Sequence, residues 1–163
     1  MNPTRTKLLK AWLPSFIWLV LIAIESTDWL SSANTSRILY PILHFLTGVG
    51  REQFAIWNFY IRKTGHVVGY FVLSWVMFNS WRASLPIQSA ARWSLRWARI
   101  SFLLSVMVAA MDEWHQTFIA SRTGTWHDLV LDSAAALTAQ VLVFFWIRFR
   151  IRRQSKRLAL ADH

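Results

Sequence analysis

The chain has no cysteine, only eight acidic residues, five glycines and four prolines. Without cysteine there is no disulfide scaffold, no thiol nucleophile and no thiolate metal site. Glycine and proline are too scarce for a fibrous chain. Charged residues make up 16% of the sequence, against roughly 25% in an ordinary soluble domain. What is there instead is apolar: 55% hydrophobic types with 11 tryptophans and a mean hydropathy of +0.31. A soluble globule of 163 residues has too much surface to cover with so few charges, and the apolar content is too high for disorder. The composition points to one domain, residues 1–163, embedded in a membrane.

The net charge is +10. In a soluble protein that would point to nucleic acid. Here the basic residues flank apolar runs, so the expected partners are the bilayer and its anionic headgroups, and nucleic acid is not expected.

Crossing a hydrocarbon core of ~30 Å takes roughly 20 mostly apolar residues as a helix. Four stretches approach this, and the expected fold is an all-α membrane protein, a four-transmembrane-helix bundle with spans at about 11–29, 64–81, 93–118 and 127–147. The first has only 14 uncharged residues, Ala11 to Ile24. It reaches a spanning length if Lys10 snorkels and the helix runs past Glu25 toward Trp29, which leaves Pro14 in the first turn, where proline is tolerated. Its basic start resembles a signal peptide, but no small-x-small cleavage site follows, so an uncleaved helix is expected. Between spans 1 and 2, Pro41, Gly48 and Gly50 interrupt the pattern, while Phe54, Trp57 and Ile61 recur at helical spacing. This predicts a short interfacial helix acting as a connector, or alternatively as a lid.

The basic residues set the orientation. With both termini cytoplasmic, the inner segments hold Arg5, Lys7, Lys10, Arg82, Arg92, Arg96, Arg99, Arg148, Arg150, Arg152, Arg153, Lys156 and Arg157, which is thirteen of the 18. The positive-inside rule therefore predicts a multi-pass protein of the cytoplasmic membrane with both ends inside.

That orientation places Glu25, Asp28, Glu52, Asp112, Glu113, Asp128 and Asp132 on the outer side, together with His44, His66, His115 and His127. Nothing in the orientation rule requires acids and histidines to sort this way. A charge at membrane depth costs at least ~2.5–3.5 kcal/mol unless it is paired or faces a wet cavity. Lys63, His66 and Tyr70 share one face of the second span at i, i+3, i+7. Asp112 and Gln116 share a face of the third, with Glu113 one position round. Arg122 follows in a loop, and Asp128 and Asp132 are i, i+4 at the start of the fourth. These nine residues, Lys63, His66, Tyr70, Asp112, Glu113, Gln116, Arg122, Asp128 and Asp132, form the candidate site, a polar pocket opening outward. The plainer alternative is an interhelical salt-bridge network, in which Asp132 pairs with Lys63 or Arg122. Ala134, Ala135, Ala136 and Ala139 predict close approach of a neighbouring helix.

At these residues the chain resembles the VanZ-like membrane family, named for a protein associated with teicoplanin resistance. The resemblance is carried by Arg62-Lys63-Thr64-Gly65-His66-Val67-Val68-Gly69-Tyr70, by Asp112-Glu113-Trp114-His115-Gln116-Thr117-Phe118, and by Arg122 through Asp128-Leu129-Val130-Leu131-Asp132. Lys63, His66, Tyr70, Asp112, Glu113, Gln116, Phe118, Arg122 and Asp128 match the family pattern. Asp132 stands where the family usually has Asn, and Ala135 and Ala139 where it often has Gly. The resemblance implies a bacterial cell-envelope context, with a glycopeptide or lipid-linked ligand, and does not supply a reaction.

Three readings of function follow. The first is an enzyme of the outer leaflet, in which His66, Asp112, Glu113 and Asp128 supply acid/base groups and Lys63 and Arg122 stabilise anionic charge. The second is a non-catalytic binding or structural module using the same pocket. The third is a small proton-coupled transporter, for which four spans are few unless the chain forms a homo-oligomer. No cofactor is expected. A divalent metal held by several of His66, His115, Asp112, Glu113, Asp128 and Asp132 is the minority alternative, since no stretch reads as a metal motif.

Overall fold

The computed structural model describes residues 3–85, 93–119 and 124–161. Among these the chain is all-helical, with α1 (Pro3–Glu25), a 3-10 turn (Asp28–Leu30), α2 (Ser32–Thr47), α3 (Arg51–Ser84), α4 (Leu95–Gln116) and α5 (Trp126–Ala161).

The helices run past the apolar limits read from the sequence, because helix propensity does not end where hydropathy does. α1 begins at Pro3 and stops at Glu25. It gains its length at the basic N-terminal side, not by running on to Trp29. Pro14 is therefore an interior proline and not a first-turn one, and it removes one bond of the helix ladder. The segment expected to hold one interfacial helix is divided. α2 starts on the Ser31 cap, whose hydroxyl accepts from the Asn34 amide. It ends at Gly48, whose φ of 70° is open to glycine at little cost. Pro41 lies inside α2, and the chain breaks only at Gly48–Gly50.

From Arg51 onward the chain is one uninterrupted helix of 34 residues, about 51 Å at ~1.5 Å per residue. Phe54, Trp57 and Ile61 thus belong to α3 and do not form one interfacial face. Phe54 is buried under Tyr40, with ring centroids 5.3 Å apart, whereas Trp57 and Ile61 are exposed. Asn58 is buried beside them, donating to the hydroxyls of Ser32 at 2.9 Å and Ser36 at 3.1 Å. These bonds dock α2 on α3. Ile38, Ile42, Phe45 and Leu46 of α2 are left exposed.

α3 is the hub, packing against α1, α2, α4 and α5. Its contacts give the directions of the others. Trp12 Nε1 donates to Ser84 Oγ at 2.7 Å and Trp18 Nε1 to the Gly69 carbonyl at 2.7 Å, so α1 is antiparallel to α3. Tyr70 meets Asp112 while Phe78 stacks edge-on against Trp97, so α4 is also antiparallel. Lys63 meets Asp128, His66 meets Asp132, and Ser74 meets Ala136 and Gln140, so α5 runs parallel to α3. Buried Ala135, Ala136 and Ala139 provide the close approach that their small side chains predict.

Two apolar clusters fill the bundle. One centres on Ile22, Tyr70, Leu73, Met77, Ala109 and Ala135, and the other on Phe78, Trp97, Ala98, Val143 and Ile147. The outside is apolar too: Leu13, Phe16, Ile17, Val20 and Leu21 of α1 and Leu137, Leu142, Phe145 and Trp146 of α5 are about half exposed. Such a coat has no counterpart on a soluble monomer. By length and composition, two segments can cross a membrane, Arg5–Glu25 and Trp126–Gln154. α3 and α4 fall short because they carry the polar interior. Tyr70, Ser74 and Ser80 on one, and Ser101, Ser105, Asp112, Glu113 and Gln116 on the other, are all buried.

Candidate functional site

The site lies at the end of the bundle where α1 and α4 finish and α5 begins. Helical spacing gathers its side chains from α3, α4 and α5. Lys63, His66 and Tyr70 descend one face of α3 in successive turns, as the sequence predicts, and each meets a different carboxylate. Lys63 Nζ pairs with Asp128 Oδ1. His66 Nδ1 lies 3.5 Å from Asp132 Oδ2. The Tyr70 hydroxyl donates to Asp112 Oδ2 at 2.9 Å.

Exposure falls in the same order. The Lys63 and Asp128 side chains are 31% and 20% exposed, and those of His66 and Asp132 are 14% and 0%. The Lys63–Asp128 pair is thus the rim and Asp132 the floor. In the salt-bridge alternative Asp132 pairs with Lys63 or Arg122. Lys63 is instead taken by Asp128, because the parallel register of α3 and α5 sets each pair one turn apart. Arg122 lies outside the described residues.

Asp112 and Glu113 are neighbours in sequence and diverge by about 100° around α4. Asp112 faces Tyr70, while Glu113 Oε2 accepts from the Thr125 amide at 2.8 Å. Gly124 makes the second contact feasible. A Cβ there would sit 2.2 Å from the Glu113 carbonyl oxygen, so only glycine lets the loop pass this close to α4. Gly124 and Thr125 were not among the sequence candidates. The available signal was an isolated glycine between Arg122 and Asp128. Thr125 also opens α5, its carbonyl and hydroxyl accepting from the Asp128 amide at 3.1 and 3.3 Å.

The site is short of partners. Among the described residues, buried Asp112 Oδ1, Glu113 Oε1, Gln116 Nε2 and both carboxylate oxygens of Asp132 find no hydrogen-bond partner. The 3.5 Å separation from His66 is too long to satisfy Asp132. Orphaned polar atoms buried this deeply are costly, on the order of 1–3 kcal/mol each and more for charged groups. Several at one place call for an explanation, which water, an ion or a bound ligand can supply. One ligand atom from each of His66, Glu113 and Asp132 lies within 4.8 Å of the other two.

The other three histidines grouped with His66 in the sequence stand elsewhere. His115 Nδ1 is 3.0 Å from the Ser26 hydroxyl, and His44 Nδ1 is 2.9 Å from the Val49 carbonyl. His127 is exposed and stacks against Trp126.

A family model described as VanZ/LLP1 matches residues 11–148. The chain belongs to this family and is a membrane protein of it. Comparison with curated proteins gives no match. Comparison with solved structures gives none either.

Proposed function

We propose that the chain is a four-span protein of the cytoplasmic membrane with both termini inside, and that its polar end opens outward to bind and act on a lipid-linked envelope ligand carrying a phosphate or carboxylate. In this reading α1, α3, α4 and α5 are the spans, and α2 lies at the outer interface with Ile38, Ile42 and Phe45 toward lipid. The alternating helix directions and the thirteen basic residues on the inner segments support it. The partners are the bilayer and that ligand, with self-association a further property to measure.

The observation that carries the functional reading is the set of unpartnered buried oxygens on Asp112, Glu113 and Asp132. A carboxylate oxygen with no donor on it is open to a substrate proton or a ligand atom, the geometry a general base needs. Tyr70 and Thr125 hold Asp112 and Glu113 by one oxygen each and leave the other available. Lys63 at the rim supplies positive charge where an anionic headgroup would enter, and Arg122, which matches the family pattern, would add to it.

The test is turnover. Purified protein in micelles should convert a lipid-linked diphosphate or peptidyl precursor. Binding without turnover would leave a non-catalytic module, and proton-coupled flux in liposomes would leave a carrier. Reporter fusions at Met1 and His163 should both read cytoplasmic; an extracytoplasmic C-terminus would end the four-span arrangement.

A further inference from the structure

We propose that His66, Glu113 and Asp132 bind one divalent first-row transition-metal ion, of the Zn2+ or Mn2+ type. The three come from α3, α4 and α5, and one ligand atom of each lies within 4.8 Å of the others. Ligands at ~2.1 Å from a shared ion stand roughly 3.4 Å apart at tetrahedral angles. Closing this set around an ion therefore takes side-chain movements of roughly 1 Å and no backbone change.

Independent of that spacing, the described residues bring no lysine or arginine to the floor of the site and too few donors for its carboxylates. Asp132 is 1% exposed, yet among the described residues neither carboxylate oxygen finds a hydrogen-bond donor. Glu113 keeps Oε1 unpartnered, and so does Asp112 its Oδ1, both on residues more than nine-tenths buried. Among the described residues no lysine or arginine pairs with any of the three; Lys63, one turn above His66, is engaged by Asp128. Carboxylates in a water-poor interior stay charged only beside a cation, and here the geometry leaves a place for one.

The donor set narrows its identity. Oxygen ligands alone would suit Mg2+ or Ca2+, while an imidazole among them moves preference to Zn2+, Mn2+ or Fe2+. Three protein ligands leave coordination positions open, the arrangement of catalytic rather than structural sites.

The role of the ion, though not its binding, rests on the reading of the site as one for an anionic ligand. Asp112, Glu113 and Asp132 would repel a phosphate or carboxylate that entered alone. A bound divalent ion reverses the local field and gives the ligand oxygen a Lewis acid to meet.

The experiment is metal binding by the full chain in detergent micelles, stripped with EDTA and then titrated with MnCl2 under electron paramagnetic resonance, with ZnCl2 as competitor. The expected result is one Mn2+ per chain, displaced by Zn2+. Asp132→Asn and His66→Gln should each weaken binding by ~100-fold or more, since loss of even an outer partner costs 10–100-fold, while helicity by circular dichroism stays unchanged. Absence of a stoichiometric ion in the folded wild type overturns the proposal, as does wild-type affinity in both variants. A protein that binds the ion but turns over no lipid-linked precursor keeps the metal site and ends the enzymatic reading. Full turnover in EDTA with no bound metal does the opposite.

Discussion

Midway along α3 and α5, Gln140 Nε2 donates to the Ser74 carbonyl at 2.8 Å and to its hydroxyl at 2.7 Å, and that hydroxyl donates on to the Ala136 carbonyl at 2.9 Å. Eight residues back along α3, about 12 Å at ~1.5 Å per residue, His66 faces Asp132 at 3.5 Å, and the Asp132 oxygens have no hydrogen bond among the described residues. Both places are buried polar contacts between the same two helices. Among the described residues, the middle leaves only the Gln140 Oε1 over, while the end leaves both oxygens of Asp132 and one each of Asp112 and Glu113. The central contact is neutral, directed to backbone, and serves to fix the register of α3 on α5. The end is charged and, among the described residues, incompletely paired, an arrangement that costs stability unless water, an ion or a ligand completes it. Substitutions should therefore separate the two regions, the end losing function and the middle losing stability.

The largest expected effect is on activity at the end. Asp112→Asn preserves shape and keeps an acceptor for the Tyr70 hydroxyl, but removes the charge. Turnover should fall by about 10²–10⁴-fold, the usual contribution of a positioned acid or base, while folded yield and thermal midpoint in micelles stay near the wild type. Retained activity with normal stability would remove Asp112 from any functional role. Reduced stability at full activity would make it a structural partner of Tyr70 and merge the two regions into one kind of contact.

In the middle the balance reverses. Gln140→Ala removes two hydrogen bonds, each about 0.6 kcal/mol on the membrane-protein average, and opens a cavity in a core where truncations cost more still. A loss of about 2–3 kcal/mol in reversible unfolding is expected, with turnover per folded molecule unchanged. If the Gln140 variant instead keeps its stability and loses turnover, the division between middle and end is wrong.

How much of this could be read from the chain depends on the length scale. Spacing within a helix was legible. Lys63, His66 and Tyr70 share a face, Asp128 and Asp132 share another, and Ala135, Ala136 and Ala139 sit where close packing needs them, whereas Ala134 is exposed. Helix ends were less so. Arg51 and Glu52 look like a break in a membrane pattern, yet they are good helix formers and open α3, just as α1 includes Thr4 to Lys10. Pairing between helices was not legible at all. The choice between Lys63 and His66 as the partner of Asp132 depends on a one-turn offset between two parallel helices, which no local pattern encodes. The split between Asp112 and Glu113 was visible as an angle, but the acceptor role of Glu113 depends on Gly124, whose importance is a backbone approach and not a side chain.

The smallest effect tests whether the rim belongs to the site or merely decorates it. Lys63 and Asp128 are partly exposed, and such pairs are worth about 0.2–1 kcal/mol because water screens them and two side chains must be ordered. A double-mutant cycle with Lys63→Gln and Asp128→Asn should give a stability coupling in that range, shrinking further as salt rises. Function should respond differently. If Lys63 greets an anionic headgroup, Lys63→Gln raises KM with little change in kcat, and Asp128→Asn, which frees the lysine from its partner, lowers KM or leaves it unchanged. The two substitutions then act in opposite directions on binding although they break the same ion pair. Equal losses in KM from both would mean that the pair works as a unit, holding the mouth of the site in shape, and that the positive charge itself is not what the ligand meets.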